Sequence, residues 1–139
     1  MQIGWLISVM TLLFSVGMLQ NNSSQIARVR TPFEGWCGGD DDLTRRVCHA
    51  VDEALDASPD FVASDGKRWG TLLVTITENV RWKEIGNRTQ VFYSVEFTSV
   101  DDKKLGSKKG SCWNDDFRIC GAQILKWSRS VVRKIDPKH

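Results

Sequence analysis

Two stretches of the chain repeat apolar residues at helical spacing. Leu43, Val47, Val51, Ala54 and Leu55 fall three and four residues apart and predict an amphipathic helix. Asp40, Asp41 and Asp42 precede it, and any of the three suits its amino-terminal cap and the positive end of its dipole. Asp56 to Pro59 ends it. Phe117, Cys120, Ile124, Trp127, Val131 and Ile135 form the second stripe, with Asp115 or Asp116 as cap and Pro137 as terminator. Between the helices the period changes to two. From Gly70 to Lys83, Leu72, Val74, Ile76, Val80 and Trp82 share one parity and Thr71, Thr75, Thr77 and Arg81 the other. Thr89 to Ser99 alternates again, with Val91, Tyr93, Val95 and Phe97 opposite Gln90, Ser94, Glu96 and Thr98. Gly86-Asn87 supplies the turn between them, so the pair predicts a half-buried antiparallel hairpin. Phe61 to Ala63 reads as a short edge strand, and Asp65-Gly66 and Asp101 to Lys104 as turns. Leu105 to Ser111 reads as a further short edge strand whose lysines discourage edge-to-edge pairing.

The predicted fold class is α+β. A helix, a three- or four-stranded antiparallel meander and a second helix form a two-layer sandwich, both helices on one sheet face. The expected organisation is a hydrophobic segment at 1–19, a tether and lead-in loop at 20–39 and a single domain at 40–139. Phe33 and Trp36 are expected to pin the loop to the core. The helix–meander–helix order resembles that of small periplasmic modules, a likeness of architecture only.

Met1 to Leu19 carries no Asp, Glu, Lys or Arg, and thirteen of its nineteen residues are hydrophobic. Three readings fit it: a cleaved secretory signal, with Ser15-Val16-Gly17 as the small-residue cleavage site; an uncleaved membrane anchor over Ile3 to Leu19; and a buried core helix. Export, by cleavage or anchoring, is the expectation taken forward. The location is then periplasmic or secreted, with membrane contact only through residues 1–19 if they are retained.

At 139 residues the chain suits one domain, and 41% hydrophobic with 26% charged residues excludes a disordered chain. Nineteen Lys and Arg against seventeen Asp and Glu leave a net charge of +2, too balanced for a dedicated nucleic-acid binder. All four cysteines, Cys37, Cys48, Cys112 and Cys120, follow the export segment. In an oxidising compartment they predict two disulfides, and three pairings are open. The simplest joins Cys37 to Cys48 and Cys112 to Cys120. Spacings of eleven and eight residues do not suit a zinc ribbon.

Gly110-Ser111-Cys112-Trp113 resembles the tail of the papain-type nucleophile motif, which implies a thiol hydrolase using Cys112. The leading Cys of that motif is Lys109 here, and only His139 lies downstream as a base. His49 is the other histidine and reads as a surface residue. The aspartates at 40–42 lack the spaced ligands of a calcium loop. No cofactor or metal is expected. A contact surface is expected from Trp36, Trp69 and Trp113, outside the apolar stripes, and from Lys126, Arg129 and Arg133 along the last helix. Three tripeptides, beginning at Asn21, Asn22 and Asn87, fit the glycosylation pattern.

The expected function is therefore a non-enzymatic binding or envelope-accessory domain. Its expected partner is another envelope or secreted protein, with anionic glycan or lipid as further ligands. An exported enzyme inhibitor or immunity protein is the alternative.

Overall fold

A computed structural model describes residues 29–64, 66 and 68–135. The hydrophobic segment 1–19, the tether through residue 28, Asp65, Pro137, His139 and the tripeptides at Asn21 and Asn22 lie outside the described residues. Among the described residues no helix is long and apolar enough to cross a membrane.

The element order is β1 (Thr31–Cys37), α1 (Asp42–Ala57), β2 (Phe61–Ala63), β3 (Leu72–Ile76), β4 (Arg81–Ile85), β5 (Arg88–Ser99), β6 (Lys104–Trp113) and α2 (Arg118–Val132). Among the described residues the fold is α+β, with two helices on a mixed, open six-stranded sheet. Strand β5 is its spine. One of its edges carries β3 and β4 end to end, and the other carries β6. Strand β1 lies beyond β3 and parallel to it, and β2 lies parallel to β1 at the edge.

Three expectations are corrected. The stretch 31–37, read as lead-in loop, is strand β1, so the sheet is mixed and the order starts with a strand. The single strand expected from Gly70 to Lys83 is two strands, β3 and β4, with residues 77–80 between them. Neither Asp115 nor Asp116 takes the N-cap position of α2. Phe117 holds it without a side-chain cap bond, and Asp116 accepts from the Arg118 amide at 3.2 Å instead. The Arg118 side chain also donates to Asp116 and holds that carboxyl below its ordinary range.

Helix α1 meets its expectation. Asp41 is its N-cap and accepts from the Thr44 amide at 2.7 Å. Both disulfides take the simplest pairing, Cys37–Cys48 and Cys112–Cys120, and among the described residues no cysteine is free. Each bridge ties the end of a strand to the early turns of a helix. Thr31, at the start of β1, donates to Asp60 O just beyond α1, so α1 runs back along β1. Lys134, just beyond α2, donates to Leu105 O near the start of β6, so α2 runs back along β6. The two helices therefore run in the same direction over one sheet face. A Cβ at Gly121 would stand 2.5 Å from Ala50 O, which only the missing side chain permits.

The core lies between the layers. Val74, Ile76, Val91, Val95 and Phe97 from the sheet are buried against Val47, Val51, Leu55 and Ile124. At about 25 cal/mol per Å² of apolar surface removed from water, this layer is the main source of stability. Among the described residues no helix lies over the opposite sheet face. It presents Trp36 on β1, Arg81, Lys83 and Ile85 on β4, Phe92, Ser94 and Glu96 on β5, and Lys109 and Trp113 on β6.

Candidate functional site

The uncovered face carries a notch, and the sequence between β3 and β4 makes it. Ile76 pairs with Val95 and Arg81 pairs with Phe92. Four residues, 77–80, thus pass two residues of β5, Tyr93 and Ser94. The two extra residues push the chain toward the helix layer. Val80 enters the core and its amide donates to Thr44 Oγ1 at 2.9 Å. Asn79 Oδ1 accepts from the Asp40 amide at 3.0 Å. Only the Thr77 amide still reaches β5, donating to Ser94 O at 3.3 Å.

On the uncovered face this excursion leaves a cavity of about 250 Å³ lined by Glu78, Arg81, Phe92, Ser94 and Lys109. A second cavity, of about 370 Å³, lies beside it against Thr77, Glu96, Ser107 and Lys108. Ser94 and Lys109 line both, so the two form one trough across β5 toward β6.

The trough has one exposed aromatic ring and a cationic rim. Phe92 is 39% exposed, an aromatic ring on the parity otherwise held by Gln90, Ser94 and Glu96. In register, Arg81 flanks it on β4 and Ser111 on β6. The next row toward the β4–β5 turn is Lys83, Gln90 and Trp113. The Arg88 guanidinium sits 4.1 Å from the Trp113 ring centroid and 3.0 Å from Asp115, so its charge is already matched. Among the described residues Arg81, Lys83, Lys108 and Lys109 make no ion pair. Glu96 lies 3.9 Å from Lys104, which leaves Glu78 as the acid at the rim. Arg81, Lys83 and Lys109 share the face of the exposed ring, and three unmatched cations around it suit an anionic partner with some apolar surface.

Beneath the trough, a polar relay crosses the sheet. The Tyr93 hydroxyl donates to Gln123 Oε1 at 2.6 Å, and Gln123 Nε2 donates to Ser111 O at 2.9 Å. Burial raises the Tyr93 hydroxyl above its ordinary pKa, so it stays a donor. Gly110 pairs with Tyr93, and a Cβ there would overlap the Tyr93 hydroxyl. The glycine is what lets the ring lie across β6 and reach α2.

The structure disperses the expected contact residues. Trp36 and Trp113 share the uncovered face, but Trp36 aligns with Glu96 and Trp113 with Gln90, about 20 Å apart along β5. Trp69 lies outside that face, in a separate cavity of about 180 Å³ with Leu105 and Ile135. On α2, Arg129 pairs with Asp60 at 3.0 Å, while Lys126 and Arg133 are exposed. Cys112 carries no thiol, being bonded to Cys120, and His49 is exposed and pairs with Glu53 at 2.9 Å. Asp42 pairs with Arg46 at 3.0 Å. Among the described residues no cluster of His, Cys, Asp or Glu is arranged to hold a metal ion. Arg81, Phe92 and Lys109 escaped the sequence reading. The one signal for them was Phe92, an aromatic residue at a solvent-parity position.

No family model matches this sequence, and no curated protein is significantly similar to it. Among solved structures the chain is similar to a minor lipoprotein from Acinetobacter baumannii. The two are 8% identical, the match covers 77% of this chain and 91% of that one, and the TM-score is 0.44.

Proposed function

We propose that this protein is a non-enzymatic binding domain of the exported or envelope-associated class, and that it engages an anionic partner through the trough on its uncovered sheet face. The observation that carries the reading is the exposed Phe92 ring between β4 and β6, rimmed by Arg81, Lys83 and Lys109, which form no ion pair among the described residues. Closure of all four cysteines into disulfides supports an oxidising location, as does the uncharged opening segment.

The test compares two double charge reversals. Arg81→Glu with Lys109→Glu alters the trough, and Lys126→Glu with Arg133→Glu makes the same change in net charge on α2. Binding of a glutamate-rich peptide and of a sulfated oligosaccharide is measured by titration calorimetry at low salt. The trough variant is expected to lose at least tenfold in affinity for one of these probes, and the α2 variant to stay within about threefold of the unaltered protein. Equal losses in both variants would reduce the trough to a bystander of net charge.

A further inference from the structure

We infer that β6 is a docking edge, and that the partner contributes an extended acidic polypeptide segment that pairs with it as a seventh strand. The inference rests on the anionic-partner reading and specifies the partner's class.

The hydrogen-bond phase of the sheet decides which groups are on offer. The Asn114 amide donates to Thr89 O at 2.9 Å, in line with the register that pairs Gln90 with Trp113 and Val91 with Cys112. In an antiparallel ladder, bonded and non-bonded residues alternate. The amides and carbonyls of Cys112, Gly110 and Lys108 therefore face β5, and those of Ser107, Lys109, Ser111 and Trp113 face outward. The Thr77 bond to Ser94 O fixes the opposite edge of β5 in the same phase.

Gln123 of α2 and Lys134 just beyond it satisfy this outer edge at two points. Gln123 takes Ser111 O, and Lys134 Nζ donates to Leu105 O at 3.0 Å. Leu105 is the extra residue of a bulge opposite Phe97 and Thr98, and it is buried. Between these points Ser107, Lys108 and Lys109 are exposed. The outward groups of Ser107 and Lys109, and the Ser111 amide, have no partner among the described residues. They form a short open ladder beside the trough, and strand addition is the interaction that fills such a ladder.

Charge selects the occupant. Strand β6 carries Lys104, Lys108 and Lys109 and no acid. A second copy would set lysines against lysines across the new pair, which is destabilising. Lys108 and Lys109 point to opposite faces, so an added strand meets a cation on each side. An acidic segment gains on both faces, and its carboxylates continue toward the cationic rim.

The experiment uses the purified oxidised protein and three probes: a heptapeptide of alternating glutamate and threonine, the same peptide N-methylated at alternate residues, and a sulfated oligosaccharide. Ser107→Pro deletes an outward amide and no ladder bond to β5, and Ser107→Ala is its control. The expected result is peptide binding that falls at least tenfold on N-methylation and in Ser107→Pro but not in Ser107→Ala. Binding should also slow amide hydrogen exchange at Ser107, Lys109 and Ser111. Should Ser107→Pro misfold, the N-methylated peptide alone decides the point. Peptide binding indifferent to N-methylation, or binding of the oligosaccharide alone, overturns strand addition and leaves the anionic-partner reading standing. Binding of no probe overturns both.

Discussion

Gly110 and Tyr93 show how one position sets the geometry on the helix side of the sheet. The glycine clears a path for the phenol, the phenol orients Gln123, and Gln123 holds one end of the β6 edge. Gly110→Ala forces the ring or the strand to move and is expected to cost about 1–3 kcal/mol in urea unfolding, the range for overpacking. Tyr93→Phe leaves Gln123 Oε1 without its donor and is expected to cost about 1–3 kcal/mol at neutral pH. The two proteins should also differ in their alkaline behaviour. Burial raises the folded-state pKa of Tyr93, so above about pH 10 the unfolded chain releases that proton first and the unaltered protein loses stability. The gap between the unaltered protein and Tyr93→Phe should narrow from about pH 10 upward in paired unfolding curves. A constant gap would count against a buried, protonated phenol. Phe92 escaped the sequence reading although its ring breaks the polar parity of β5, and its neighbours Arg81 and Lys109 come from other strands and meet it only in the folded sheet.

At the scale of elements, the helices and the β4–β5 hairpin were legible because periodicity fixes them directly. Strand β1 was not, because Pro32 and Gly35 read as turn chemistry. Pro32 sits second in the strand, near its start, where proline is tolerated. Gly35 lies under α1, where a Cβ would overlap Asp52. The break between β3 and β4 escaped for a different reason. Two extra residues in a strand preserve the alternation, so Ile76 and Trp82 keep the same parity on either side of the excursion. The turn read at Asp101 to Lys104 is present through Lys103, with Lys104 already in β6, and Asp102 takes φ +63 there, as aspartate tolerates. The bridges act at this scale too. By the chain-entropy account each short loop contributes about 2.5–3 kcal/mol. Replacing Cys112 and Cys120 together with Ala should lower stability by that order in urea. It should also raise hydrogen exchange in the first turn of α2 more than in α1. Uniform loosening of both helices would mean the bridge does not anchor α2 locally.

For the whole molecule, the compartment is the reading on which most else depends. The pairing of Cys37 with Cys48 and Cys112 with Cys120 was the simplest of three open to the sequence, and fold geometry selected it. Protein purified from its native host without reductant should show no reactive thiol under denaturing titration, and four after reduction. Four thiols before reduction would place it in a reducing compartment and remove the export reading.

Direction along the sheet has a last consequence. Chain enters at Val29–Arg30 beside the start of β1, and the final described turn at Ile135 lies by Leu105, both at the Ser99 end of β5. The notch and the β4–β5 turn lie toward the other pole. A bead, surface or fusion partner joined upstream of Val29 would therefore present the trough outward, leaving the recognition pole clear of its own mooring.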